Sequence, residues 1–126
     1  MYLGHALAMF CLLCGAEAPT HPMLPKDWQG VWLGELTVYG PAGKVFQRPW
    51  ELHVEPLTNG RGFTWRIISS MAGKKSVREY ELIPDPDKAD QFTIDEKNGI
   101  VLNARLMGHT LYSYYKDGDI LISTRF

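Results

Sequence analysis

Trp28-Gln29-Gly30-Val31-Trp32-Leu33-Gly34-Glu35-Leu36-Thr37-Val38-Tyr39 alternates with a period of two. Trp28, Gly30, Trp32, Gly34, Leu36 and Val38 fall on one face, with Glu35, Thr37 and Tyr39 opposite, the pattern of a half-buried strand. The rhythm recurs downstream. Phe46, Trp50, Leu52 and Val54 share a face against Glu51, His53 and Glu55, and Pro49 inside that run marks an edge or a bulge. Phe63, Trp65 and Ile67 alternate with Thr64 and Arg66. Val77 to Ile83, Phe92 with Ile94, Ile100 to Leu106, Thr110 to Tyr115 and Asp119 to Phe126 continue the series. Gly-, Pro- and Asn-rich turns separate these runs. Asn98-Gly99 is the strongest hairpin signal among them, because both residues tolerate positive φ. Beyond residue 27 no window keeps a 3.6-residue period over three turns.

Consecutive hairpin-linked strands either close into an up-and-down barrel or split into a sandwich with long crossovers. The connections here are short, so the expectation is an all-β, antiparallel meander barrel of about eight strands. One face of each strand is apolar or aromatic and the other is charged or hydroxylated, as a barrel wall requires.

The chain of 126 residues, 45% hydrophobic and 21% charged, is long enough for a single domain. Thirteen Lys and Arg against fourteen Asp and Glu give a net charge of −1, which lacks the basic surplus of a nucleic-acid partner. Leu3 to Gly15 (LGHALAMFCLLCG) carries no Lys, Arg, Asp or Glu. It is too short to span a membrane and fits the apolar region of an export signal, expected to be helical. Ala16-Glu17-Ala18 supplies a small-x-small cleavage pattern, with cleavage near Ala18 and Ala16 as the alternative. The organisation expected is therefore a signal peptide over 1–18, a Pro-rich lead over 19–27 and the barrel over 28–126. The mature protein would be periplasmic or extracellular and have no membrane span. Cys11-Leu12-Leu13-Cys14 has redox spacing but no electropositive surroundings, and both cysteines leave with the signal.

Gly30-Val31-Trp32 resembles the Gly-x-Trp opening of the first strand in calycins, the superfamily of lipocalins, fatty-acid-binding proteins and avidins. The resemblance implies a closed barrel over Trp28 to Phe126, with the Trp32 indole plugging one end. It also implies that Arg125, from the last strand, stacks on that indole by cation–π attraction. The overall pattern is similar to small exported lipocalin-like proteins of bacteria. Three features depart from the family. The helical pair of fatty-acid-binding proteins has no room between the first two strands. Met107-Gly108-His109 replaces the Thr-Asp-Tyr-like motif of lipocalins, and no helix follows the last strand. Either the barrel is minimal, or closing strands are missing.

Barrels that bind small molecules do so inside, with an apolar lining and a few polar anchors. Arg78 and Tyr80, two apart, share one side of their strand, and Leu82 continues it. Fatty-acid-binding proteins hold a carboxylate with a similar Arg-x-Tyr pair on their last strand. In the competing phase Arg78 faces solvent while Val77 and Ile83 face inward, and this phase has slightly more in its favour. Trp50, Trp65 and Leu82 would line the interior, with Arg48, Ser113 and Tyr115 as further inward polar positions. His53 alternates outward and His109 lies in a turn, so an axial ligand for haem is the weaker reading, and no cofactor or metal is expected. No nucleophile elbow, zinc motif or phosphate loop is present, and Glu51 with Glu55 share the outer face, so catalysis finds little support. Asp85, Asp87 and Asp90 form a charged turn without the glycine and glutamate of a calcium loop. The function expected is binding of a small, mostly apolar molecule whose polar end Arg78 and Tyr80 would hold, an anionic head group being one such end. The alternatives are an interaction module with a filled interior, working through exposed tyrosines, and a haem barrel. The sequence does not fix an oligomeric state.

Overall fold

A computed structural model describes residues 24–126, so the apolar leader, its two cysteines and the boundary near Ala18 lie outside the described residues. One short 3-10 turn, Lys26–Trp28, precedes eight strands: β1 Gly30–Gly40, β2 Gly43–Val54, β3 Phe63–Met71, β4 Lys74–Pro84, β5 Gln91–Asp95, β6 Val101–Met107, β7 Thr110–Asp117 and β8 Ile120–Arg125. Every pairing is antiparallel and joins sequence neighbours, giving the expected meander. The sheet curls into a half-barrel. Its first and last strands are not paired with each other, so the cylinder implied by the resemblance is open along the β1–β8 side.

Cross-strand partners in an antiparallel sheet point to the same side, so the register fixes which residues face the hollow. Phe63 pairs with Leu82, Trp65 with Tyr80 and Ile67 with Arg78, and Leu82 in turn pairs with Ile94. Arg78 therefore projects into the concave side, and Val77, 45% exposed, faces out. This corrects the solvent-facing phase. Both phases of β4 offer apolar residues, but only one sets Leu82 between Phe63 and Ile94, where it is wholly buried.

Pro49 is on a local edge, as expected: it pairs with Glu35 of β1, while the β2–β3 ladder covers only Trp50 to His53. The bulge of β2 is at Val45, which is skipped where Val38 pairs with Phe46 and Tyr39 with Lys44. One local expectation changes. Asn98-Gly99 does not form a two-residue hairpin. The loop runs from Glu96 to Ile100, closed by the Ile100 carbonyl accepting from the Glu96 N–H at 3.0 Å, and the positive φ angles fall at Lys97 and Gly99. Asp95 and Asn98 side chains accept the Lys97 and Ile100 N–H groups, so Asn98 serves as a cap.

The core gathers at one end of the hollow. Leu24, Trp28, Leu52, Val54, Phe63, Trp65, Leu82, Phe92, Ile94, Ala104 and Leu111 are buried and contiguous. Leu24 is 1% exposed, so part of the Pro-rich lead belongs to the floor of the half-barrel. Trp28 stacks on Trp65 with centroids 6.3 Å apart, and Phe126 meets Trp65 edge-on at 5.1 Å. No helix among the described residues is long and apolar enough to cross a membrane.

Gly62 enters β3 at a point of close approach. A Cβ there would lie 2.5 Å from the Leu82 carbonyl oxygen and 2.9 Å from Ile83 Cδ1. Because a backbone atom is the nearer obstacle, Gly62→Ala is expected to lower unfolding stability by about 1–3 kcal/mol, measured by urea denaturation. An unchanged midpoint would show that β3 and β4 separate freely at this point.

Candidate ligand cavity

Above the aromatic floor the hollow remains open. One row across the sheet is Gly34–Trp50–Ser69–Ser76, in which three of the four residues are small. The next row towards the floor is Trp32–Leu52–Ile67–Arg78. Small residues facing a single indole leave space that the neighbouring rows do not fill. The result is a cavity of about 800 Å³, within the range of about 300–1,000 Å³ common for small-molecule sites. Trp32, Leu36, Trp50, Leu52, Ile67 and Phe126 supply its apolar wall. Arg48, Arg78, Ser69, Thr37 and Thr124 supply polar groups, and Asp27, Glu35, His109 and Arg125 stand on the lining as well.

The two concave arginines differ in depth. Arg48 pairs with Leu36 on the far side of the Trp50 row, towards the open end, whereas Arg78 lies on the floor side of it. Arg48 lies 5.2 Å from the Phe46 ring centroid, and its Nη1 approaches Met71 Sδ at 3.7 Å. Its Nε–H is buried and has no hydrogen-bond acceptor. Neither arginine has a salt bridge among the described residues, where the ion pairs found involve Arg66, Lys97, Arg105, His53 and His109. Arg48, half-buried, and Arg78, exposed, thus border the same cavity without a salt bridge among the described residues.

Of the residues anticipated from sequence, Trp50 and Arg78 line the cavity. Tyr80 is one row deeper and adjoins Arg78 and Glu96. Trp65 and Leu82 are fully buried beneath the lining and belong to the core. Tyr115 is on the concave side, paired with Ile122, and does not reach the cavity lining. Ser113 is buried and bonds to Thr124 through their hydroxyls.

The roles implied by the Gly-x-Trp resemblance shift. Trp28, 8% exposed, is the indole that plugs the floor. Trp32 is 48% exposed, lines the cavity and donates its Nε1–H to the Trp28 carbonyl at 2.8 Å. Gly30 has φ of 126°, a backbone state L side chains avoid, and turns the chain from the plug into β1. Arg125 pairs with Tyr112 and stands at the cavity edge, and the cation–π contact found among the described residues is that of Arg48 with Phe46. Phe126, unassigned from sequence, continues the β7–β8 ladder through two hydrogen bonds with Leu111 and lands against Trp50 at 5.7 Å. Its phase with Thr124 and Ile122 was the available signal.

His53 points away from the hollow and holds Glu51 at 3.0 Å. His109 is on the rim, 4.0 Å from Asp27. No cluster of three or more metal-ligating side chains occurs among the described residues. Asp85 accepts N–H groups from Asp87 and Lys88 within the turn, and Asp90 ties the turn to Arg105 of β6.

Burial, followed by the Glu96 carboxylate, pushes the Tyr80 hydroxyl above its ordinary value, against the opposing pull of Arg78. A raised folded-state value favours the neutral phenol. The stability it contributes is complete below the unfolded-state value of about 10 and is lost as pH rises through the folded one. An alkaline absorbance titration is expected to show a late-ionising tyrosine that Tyr80→Phe removes; loss of an ordinarily ionising tyrosine, with the late phase kept, would place Tyr80 in solvent. No protein-family model, curated protein or solved structure matches the chain.

Proposed function

We propose that this chain is an exported, calycin-like binding barrel whose cavity takes a small amphipathic molecule with an anionic head. The observation that carries this reading is the pair Arg48 and Arg78 on the lining of a largely apolar cavity of about 800 Å³, with no salt bridge among the described residues. A guanidinium near apolar surface gains from a carboxylate or phosphate that accepts two parallel hydrogen bonds. Trp50, Leu52, Ile67 and Phe126 would cover the tail. A filled-interior module, the competing reading, is disfavoured by the small Gly34, Ser69 and Ser76 in one row.

The test uses a dansylated medium-chain fatty acid and its neutral alcohol analogue, followed by fluorescence. The acid is expected to bind more tightly than the alcohol. Arg78→Ala is expected to weaken the acid by about 1.5–3 kcal/mol, the worth of a hydrogen bond to a charged group, and leave the alcohol unchanged. Equal losses for both probes would mean that Arg78 packs against the tail and does not hold the head. No binding of either probe would remove the reading.

A further inference from the structure

The cavity is lined on one side by residues that ought not to reach it. Glu35, Thr37 and Tyr39 belong to the convex phase of β1, and Ser123 and Arg125 to the convex phase of β8, yet all five border the hollow. They do so because the gap between the two edge strands opens into it. Both edges lack the usual protection. β1 carries one charged residue, Glu35, and no proline, while β8 carries one charged residue, Arg125, and no proline. Every residue of β8 is exposed.

An antiparallel register between the strands is constrained from three directions. The pleat must keep Thr124 and Ile122 on the concave side with Leu36 and Val38. The single charges are of opposite sign and share the convex side. Phe126 already lies on Trp50, whose partner in β1 is Gly34. Setting Arg125 opposite Glu35 satisfies all three at once. Phe126 then faces Gly34, which has no side chain and where even an added Cβ would meet nothing within 4 Å. Thr124 faces Leu36, Ser123 faces Thr37, Ile122 faces Val38 and Leu121 faces Tyr39. A shift of two residues in one direction sets Arg125 against Leu33, and in the other leaves Leu121 beyond the end of β1.

The part that must move is also identifiable. Beyond Trp50–Ser69 the upper β1–β2 hairpin has no ladder to β3, and such a two-stranded ribbon is weakly held by itself. The floor end of the gap is fixed by Phe126 against Trp50 and Trp65. We propose that the β1–β8 gap is a lateral gate: the upper β1–β2 ribbon swings against β8 and pairs with Arg125 opposite Glu35, enclosing the ligand. This gate rests on the binding reading for its purpose, while the pairing itself can be read without any ligand.

The full chain carrying Cys11→Ser and Cys14→Ser takes two further substitutions, Thr37→Cys and Ser123→Cys. Neighbouring antiparallel strands bring paired Cα atoms to about 4.5–5.5 Å, within disulfide reach. A control, Thr37→Cys with Leu121→Cys, stays on the same face but is out of register by about 7 Å. In the ligand-free protein, the 37–123 bridge is expected to form within one chain and faster than the control. Once oxidised, it is expected to slow release of the dansylated fatty acid about tenfold, and reduction to restore the rate. Equal bridging in both pairs overturns the register, and disulfide-linked dimers assign the edges to a second copy. A locked gap with unchanged release overturns the gate. If the reduced protein binds no probe, the binding reading fails, and ligand-free bridging still decides whether the strands pair as stated.

Discussion

Trp65 is the point on which the two ends of the described chain converge. It is wholly buried in the middle strands. Trp28 stacks on it from before β1, and Phe126 meets it edge-on from after β8. A meander makes hydrogen bonds only between sequence neighbours, so its ladders alone do not dictate that the sheet should curl far enough to bring the ends together. Contacts between residues far apart in sequence provide that closure at the floor. Each aromatic pair adds about 0.5–1.5 kcal/mol beyond the area it buries. The chain Trp32–Trp28–Trp65–Phe126–Trp50 spans the floor of the half-barrel and leaves the opposite end free.

The cavity follows from what stands above that floor. Large side chains are concentrated at the level of Trp65 and below, while Gly34, Ser69 and Ser76 occupy the row of Trp50. Filling that row with aliphatic residues would continue the core upward and stabilise the domain by about 1.5–3 kcal/mol for each side chain fully buried. The chain instead keeps small or polar residues there and inserts two guanidinium groups on either side. Arginine retains its charge in such a place, and its methylene stem packs on apolar wall while the head stays available. The arrangement leaves open space where maximal stability would place side chains.

Much of this was legible in the sequence because strand periodicity is a two-valued signal. Phe46, Trp50, Leu52 and Val54 have only one apolar phase, and the concave face of β2 is read directly from them. The same logic applies to Phe63, Trp65 and Ile67. It fails for β4, where Val77 and Ile83 compete with Tyr80 and Leu82; the phase there is set by Phe63 and Ile94, residues on other strands. It also fails for Trp28 against Trp32. Both lie in phase, and only the 3-10 turn at Lys26–Trp28 tips the first into the floor and leaves the second on the cavity wall. Asn98-Gly99 illustrates a third limit. A strong dipeptide preference yields when Asp95 and Asn98 can cap a longer loop.

An open side in a barrel costs less than its row of unpaired groups suggests. Exposed edge N–H and C=O groups bond to water, so pairing them gains only about 0.5–1.5 kcal/mol for each hydrogen bond. Ordering a loosely held ribbon costs about 1–2 kcal/mol for each backbone residue fixed. These opposing quantities are of similar size, which places an open and a closed edge within reach of one another. An apolar molecule that touched β1 and β8 together only when they meet would shift such a balance towards the closed edge. Polar edges bearing several lysines would resist that meeting, and fully apolar ones would close permanently or aggregate. One glutamate, one arginine and small hydroxylated residues between them lie between these extremes.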